Sequence, residues 1–215
     1  MSSEKLEKAM YLFKEGSEDK ASKVASSMLD GVHLTKQDLI NRLNKDIELE
    51  YSAAIQYIQH ANLLQGSAFT GVKDELLKHA DEEMEHAKIL SDRVVYLGGT
   101  PTINVEKIFT APDNLNMLRL DLNAERNAIS RYSDRILEAM SLKEFGLVNV
   151  LQNILVEEEE HENDLLMALG SFVDPDPGND IDFIDEAPPA AADVDYSPVM
   201  EREARAKKLA SLIKD

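Results

Sequence analysis

Residues 81–86 read Asp81-Glu82-Glu83-Met84-Glu85-His86, and residues 157–161 read Glu157-Glu158-Glu159-Glu160-His161. Each stretch contains Glu-x-x-His: Glu83 with His86, and Glu158 with His161. On a helix, residues three apart lie on one face, so a carboxylate and an imidazole point the same way at metal-ligand spacing. One such pair is weak evidence. Two pairs, each on the apolar stripe of its own helix, point to a metal site inside a helical bundle.

The surrounding periodicity predicts four long helices. The first, over 36–64, reads Leu39, Leu43, Ile47, Glu50, Ala54, Tyr57, Ala61 and Leu64 in steps of three and four. The second, over 71–97, reads Val72, Leu76, His79, Glu83, His86, Leu90, Val94 and Leu97. The third, over 114–140, reads Leu115, Leu118, Leu122, Glu125, Ile129, Tyr132, Ile136 and Met140. The fourth, over 142–170, reads Leu147, Leu151, Ile154, Glu158, His161, Leu165 and Leu169, with Gly170 as its C-cap. In every stripe a carboxylate stands at mid-helix where the pattern asks for an apolar residue. An unpaired buried carboxylate is costly, so it must be neutralised, paired or bound to metal.

Short turns join the first helix to the second and the third to the fourth, so each pair is antiparallel. Residues 98–113 form a longer connector. Extended, it spans ~50 Å, enough to run from one end of the bundle to the other. The fold class is all-α: a four-helix bundle with one long crossover. Within each pair the two carboxylates lie equally far from the turn, so Glu50, Glu83, Glu125 and Glu158 meet at one level. Residues 1–35 read as an N-terminal helical extension, 36–170 as the bundle, 171–196 as an acidic Pro-containing linker, and 197–215 as a C-terminal helix started by Ser197 and Pro198.

Composition narrows the function. The chain has 215 residues, a formal net charge of −18 and no cysteine. The charge argues against nucleic acid as a partner. It describes a well-solvated surface or, more sharply, an attraction for cations such as Fe²⁺. The missing cysteines exclude disulfides, iron–sulfur clusters and thiol catalysis. No stretch is long and apolar enough for a membrane, and the N-terminus lacks a signal-peptide core, so the chain reads as cytoplasmic. Four carboxylates and two imidazoles suit a pair of Fe, Mn or Zn ions, and spacing does not choose among them. A Glu from each of two helices and a Glu-x-x-His from each of the others is the known pattern of di-iron carboxylate bundles.

The segments 50–61 (Glu-Tyr-Ser-Ala-Ala-Ile-Gln-Tyr-Ile-Gln-His-Ala), 81–87, 117–125 (Met-Leu-Arg-Leu-Asp-Leu-Asn-Ala-Glu) and 157–161 resemble the ferritin-like superfamily and, within it, the bacterioferritin branch. The resemblance covers residues 36–170. It implies that Glu50 and His86 ligate one iron, Glu125 and His161 the other, and that Glu83 and Glu158 bridge the two. It also implies ferroxidase activity with O₂ or H₂O₂ as oxidant, iron storage, and a homo-oligomer, a dimer at least and a hollow shell at most. Tyr57 matches a tyrosine beside the iron pair, with core packing as the alternative. Met84 matches a methionine that ligates haem b across a two-fold dimer axis, with plain packing as the alternative. His79, one turn before Glu83, is a neighbour of the site, an iron-entry residue or a satisfied boundary histidine. His60 falls off the metal face.

The histidine on the fourth helix sets this branch apart from animal-type ferritins. Rubrerythrin-like peroxidases carry an extra Glu on the third helix, where this chain has Asn127 and Ala128. Two departures from bacterioferritins are the long N-terminal extension and the acidic linker in place of a short fifth helix. Two other functions stay open. One is a non-storing di-iron oxidase or peroxidase. The other is a ferritin-like cargo docked on a partner shell through its C-terminal tail, since Lys207 to Ile213 resembles tags that address cargo to encapsulin shells.

Overall fold

The helices begin where the chain offers caps. Thr35 accepts from the Asp38 backbone N–H at 3.1 Å, and the Asp38 carboxylate accepts from the Thr35 N–H at 2.9 Å. This reciprocal box starts α3 (Lys36–Leu63). Asp113 accepts from the Asn116 N–H at 3.0 Å and starts α5 (Asn114–Ser141). The computed structural model describes residues 3–29 and 34–170. The other long helices are α4 (Thr70–Tyr96) and α6 (Phe145–Ala168), preceded by α1 (Ser3–Lys14) and α2 (Glu18–Met28). No strand occurs among the described residues. None of the helices there is long and apolar enough to cross a membrane.

The architecture is the four-helix bundle with a long crossover. Helix α3 packs on α4 and α5 on α6; the pairs meet through α3 with α5 and α4 with α6. The crossover follows α3 along its length. Asn44 holds the Thr100 carbonyl and the Thr102 N–H, Glu48 accepts from the Thr102 hydroxyl, and Gln56 accepts from the Phe109 N–H at 2.9 Å. Residues 44, 48 and 56 lie four and eight apart, so one face of α3 is the track. Gly99 is required at its start, because a Cβ there would lie 2.6 Å from Ile40 Cγ2.

Helix α6 starts at Phe145, three residues later than the periodicity predicts, because Lys143 takes a positive φ of 61° and breaks the run. Leu115 is exposed and Ile129 only partly buried; Ala128 takes the core position instead. Gly170 has φ 72°, the left-handed turn that ends α6. The extension packs on the bundle: α2 lies against α5, and Phe13 stacks on Phe145 with ring centroids 5.4 Å apart. The linker and terminal helix expected at 171–196 and 197–215, and with them the docking tail, lie outside the described residues.

The buried apolar residues fall into two clusters. The larger holds Leu39, Leu43, Ile47, Leu90, Val94, Ile136, Met140, Leu147 and Leu151, among others. The smaller holds Tyr57, Ala61, Leu76, Ala80, Leu118, Leu122 and Leu165. On each of α3 to α6, the residues separating the clusters are those that carry the charged stripe positions. Burial of a Leu or Ile contributes roughly 1.5–3 kcal/mol. The two apolar blocks therefore clamp a polar layer between them.

Candidate metal centre

That layer contains Glu50, Glu83, His86, Glu125, Glu158 and His161, and all six are buried. Glu50, Glu83, His86 and Glu158 each bring one ligand atom to within 4.8 Å of the others. Glu83, Glu125, Glu158 and His161 do the same. Glu83 and Glu158 belong to both groups. Glu83 sets Oε2 3.3 Å from His86 Nδ1 and Oε1 3.2 Å from His161 Nδ1. Glu158 sets Oε1 3.1 Å from His86 Nδ1 and Oε2 4.0 Å from His161 Nδ1. Each of these carboxylates thus spans both imidazoles with its two oxygens. Glu50 lies 3.7 Å from His86 Nδ1, and Glu125 3.8 Å from His161 Nδ1.

The donor set fits a pair of divalent cations. Glu83 Oε1, both Glu158 oxygens and His161 Nδ1 are buried atoms with no hydrogen-bond partner. Such orphans are costly unless an ion or a proton meets them. Carboxylate oxygens and imidazole nitrogens suit Fe, Mn and Zn.

Without an ion, protons carry the compensation. Burial and the charges of Glu125 and Glu50 raise Glu83 to about 8. Burial and the charges of Glu83, Glu50 and Glu125 raise Glu158 well above the usual carboxylate range. Burial opposes charge on the imidazoles as well, but their carboxylate partners outweigh it, raising His161 to about 10 and His86 further still. Glu50 is the counterweight: burial raises it, but its neighbours Glu83 and His86 and the Arg131 charge overcome burial and hold it down to about 2.

The far nitrogen of each imidazole is held by the other Glu-x-x-His helix. His86 Nε2 lies 2.7 Å from Glu157 on α6, and His161 Nε2 lies 3.1 Å from Glu82 on α4. A carboxylate there fixes the tautomer and aims Nδ1 into the centre. Both residues sit one position before the buried Glu and look like solvated members of an acidic run. The doubled Glu-Glu-x-x-His is the signal that finds them.

Two phenols complete the layer. Tyr57 donates to Glu125 Oε1, and Tyr132 donates to Glu50 Oε1 at 2.5 Å. Tyr132 was legible only as a core residue. Arg131 also reaches Glu50, with Nη2 3.2 Å from Oε1, and lies 3.4 Å from Asp46. Behind it Arg135 donates to Asp46 at 2.7 Å and to Glu138 at 2.5 Å, and Arg42 bonds Glu138 from the rim. Asp46, Arg135 and Glu138 are buried.

The remaining singled-out residues divide. His60 is buried on Asp121, at 2.8 Å, where Gln56 also donates, and it stays off the ligand set. His79 is fully buried rather than at a boundary, stacked on His161 with ring centroids 4.1 Å apart. Met84 is exposed on α4 and belongs to neither four-ligand group.

The family model for the ferritin-like domain matches residues 40–172. A bacterioferritin of Streptomyces coelicolor is 31% identical over 58% of this chain and 75% of its own. Among solved structures, the chain is similar to a dodecameric thioferritin, the bacterioferritin-related protein of Bacteroides fragilis. That similarity has a TM-score of 0.59 at 29% identity, over 71% of this chain and 93% of that one. A ferritin-like diiron-carboxylate protein of Bacillus anthracis has a TM-score of 0.60 at 31% identity, over 62% of this chain and 96% of that one.

Proposed function

We propose, on the premise that this chain belongs to the ferritin-like domain family, that it is a ferroxidase acting at the buried six-residue layer. The observation that carries the reading is that two four-ligand groups share Glu83 and Glu158. Fe²⁺ is the substrate: two ions give up one electron each, and O₂ takes both with two protons and leaves as H₂O₂. With H₂O₂ as oxidant, the two electrons and two protons yield two waters. The residues supply the rest. Glu50 with His86 and Glu125 with His161 form the two terminal pairs, and Glu83 and Glu158 span between them. The protons on Glu83, Glu158, His86 and His161 leave as cations enter, so two divalent ions displace four protons and the charge of the site changes little during loading. The four carboxylates then favour the more highly charged product ion. Tyr57 and Tyr132 hold Glu125 and Glu50 in place.

Iron storage in a homo-oligomer is the wider role, supported by the bacterioferritin and thioferritin relatives. Adding Fe²⁺ in air tests both levels. Oxidation of two ions per chain followed by uptake far beyond two supports storage. Uptake that stops at two leaves a non-storing oxidase, and failure to oxidise a pair rejects the ferroxidase. Exposure of Met84 leaves its sulfur available to a second copy, as haem ligation across a dimer axis requires; an absorption spectrum of purified protein checks it.

A further inference from the structure

The seam between α3 and α5 carries a ladder of opposite charges that leads from the buried layer to the rim. Arg42, Asp46 and Glu50 stand one turn apart on α3 and face Glu138, Arg135 and Arg131 of α5. Each rung pairs a cation with an anion. Arg135 is the central member. Its Nε donates to Asp46 Oδ2 at 2.7 Å and its Nη2 to Asp46 Oδ1 at 3.2 Å, so one guanidinium takes both oxygens. Its Nη1 donates to Glu138 at 2.5 Å. Arg131 meets what is left. Its Nη2 donates to Glu50 Oε1 at 3.2 Å. Its Nε lies 3.4 Å from Asp46 Oδ1 and is a buried atom with no hydrogen-bond partner. A buried N–H without an acceptor is costly, so Arg131 would turn to Asp46 if an oxygen there were free.

We propose that Arg135, hydrogen-bonded to Asp46 and Glu138 rather than to any of the six ligands, is a positioning residue for the metal centre: by occupying Asp46 it keeps the Arg131 cation on Glu50, and so sets how strongly the His86 half holds its ion. The inference rests on the reading of the layer as a metal centre. Two carboxylates compete for the Arg131 guanidinium, Asp46 from behind and Glu50 from within the layer. Arg135 decides between them with a planar fork that matches both Asp46 oxygens. Glu50 Oε1 consequently accepts from Tyr132 and Arg131 together, while Oε2 is left for the ion, 3.7 Å from His86 Nδ1. Glu125 Oε1, in the other half, accepts from the neutral phenol of Tyr57.

Calorimetric titration of the ion-free protein with Mn²⁺ tests it through the weaker of the two binding steps. Arg135→Met frees both Asp46 oxygens, Arg131 turns to them, and Glu50 loses its cation. The weaker step should tighten several-fold, by less than the roughly tenfold expected for loss of Arg131 itself. Glu138 keeps Arg42 and Asp46 gains Arg131, so no buried charge is stranded. Arg135→Lys keeps the charge but not the fork; it should move the step the same way by less, and it replaces the Met variant if that one does not fold. Asp46→Leu with Arg135→Met has the net charge of wild type and removes the competing carboxylate outright. Arg131 then rests on Glu50 alone, and the weaker step should loosen several-fold relative to wild type. Opposite signs from the single and double variants are the signature of positioning, because a merely structural role would loosen the step in both. Shifts of the same sign, or a step that neither variant moves, overturn the proposal. Wild type without two Mn²⁺ steps would overturn it together with the reading of the layer as a metal centre.

Discussion

The two halves of the buried layer share a plan and differ in their surroundings. Each has a terminal Glu, a tyrosine donating to it, and a histidine whose far nitrogen rests on a carboxylate of the other Glu-x-x-His helix. Around Glu50, however, stands a cation: Arg131 at 3.2 Å, backed by the Asp46–Arg135–Glu138 network. Around Glu125 the contacts are different. Its neighbours are Tyr57, His161 and the stacked His79. Repeated sequence builds matching first contacts, while residues off the repeat set the local charge. The Glu50 half is partly neutralised. The Glu125 half is the more negative. A first cation should therefore settle at Glu125 and His161.

The largest break in this comparison comes from removing what the halves share. Glu83→Ala with Glu158→Ala should slow Fe²⁺ oxidation by at least ~10³-fold, because losing even an outer partner of a ligand costs 10–100-fold. Helical content by circular dichroism should survive, since the apolar clusters on either side of the layer remain. Oxidation at an unchanged rate would mean that the layer is not the site.

A finer cut separates the halves. Glu157→Ala frees the far nitrogen of His86, and Glu82→Ala frees that of His161. Each should weaken divalent binding in its own half by roughly 10–100-fold and spare the other. Mn²⁺ titration followed by calorimetry resolves the two steps. If both variants damage the same step, the crossed pairing of helices is not what orients the imidazoles.

Smaller still is the contribution of the cation. Arg131→Met removes a positive charge beside Glu50, and at an effective dielectric of about 20 such a charge acts with a few kcal/mol at close range. Asp46 already offsets part of it, so the weaker Mn²⁺ step should tighten by roughly tenfold and approach the stronger one. If the two steps stay as far apart as in wild type, Arg131 is not the source of the asymmetry.

What the sequence disclosed follows the same division. The six ligands were legible because each interrupts an apolar stripe, and because Glu-x-x-His occurs twice at matching distances from a turn. The crossover was legible from length alone. Arg131 was not, because it sits one position off the stripe of α5 and reads as solvent-facing. Asp46 and Glu50 are four apart on α3, and Arg131 and Arg135 four apart on α5. Two matched charge pairs one turn apart were a usable signal, but joining them requires knowing that α3 faces α5. Glu82 and Glu157 were hidden among neighbours of their own kind. The start of α6 was missed because Lys143, not a glycine, adopts the left-handed turn.

The gentlest test concerns protons. Glu83, Glu158, His86 and His161 all have folded values above their ordinary ones, near 4.5 for the carboxyls and 6.5 for the imidazoles. Stability from such groups is fully present below the unfolded value and is lost as pH rises through the folded one. The ion-free protein should therefore lose stability from about pH 5 towards about pH 9. Glu50 and Glu125 are shifted the other way, so their contribution is present above 4.5 and fades only in acid. They stay constant across this window. Cations require the same four groups deprotonated, so binding tightens over the range in which the ion-free form weakens. The melting temperature gained with saturating Mn²⁺ should widen by several degrees between about pH 5.5 and about pH 8. In Glu83→Gln, which cannot ionise, the widening should shrink. A gap that stays flat while Mn²⁺ still binds would mean that the spanning carboxylates hold no protons. The two halves would then face each other fully charged, with Arg131 alone to set them apart.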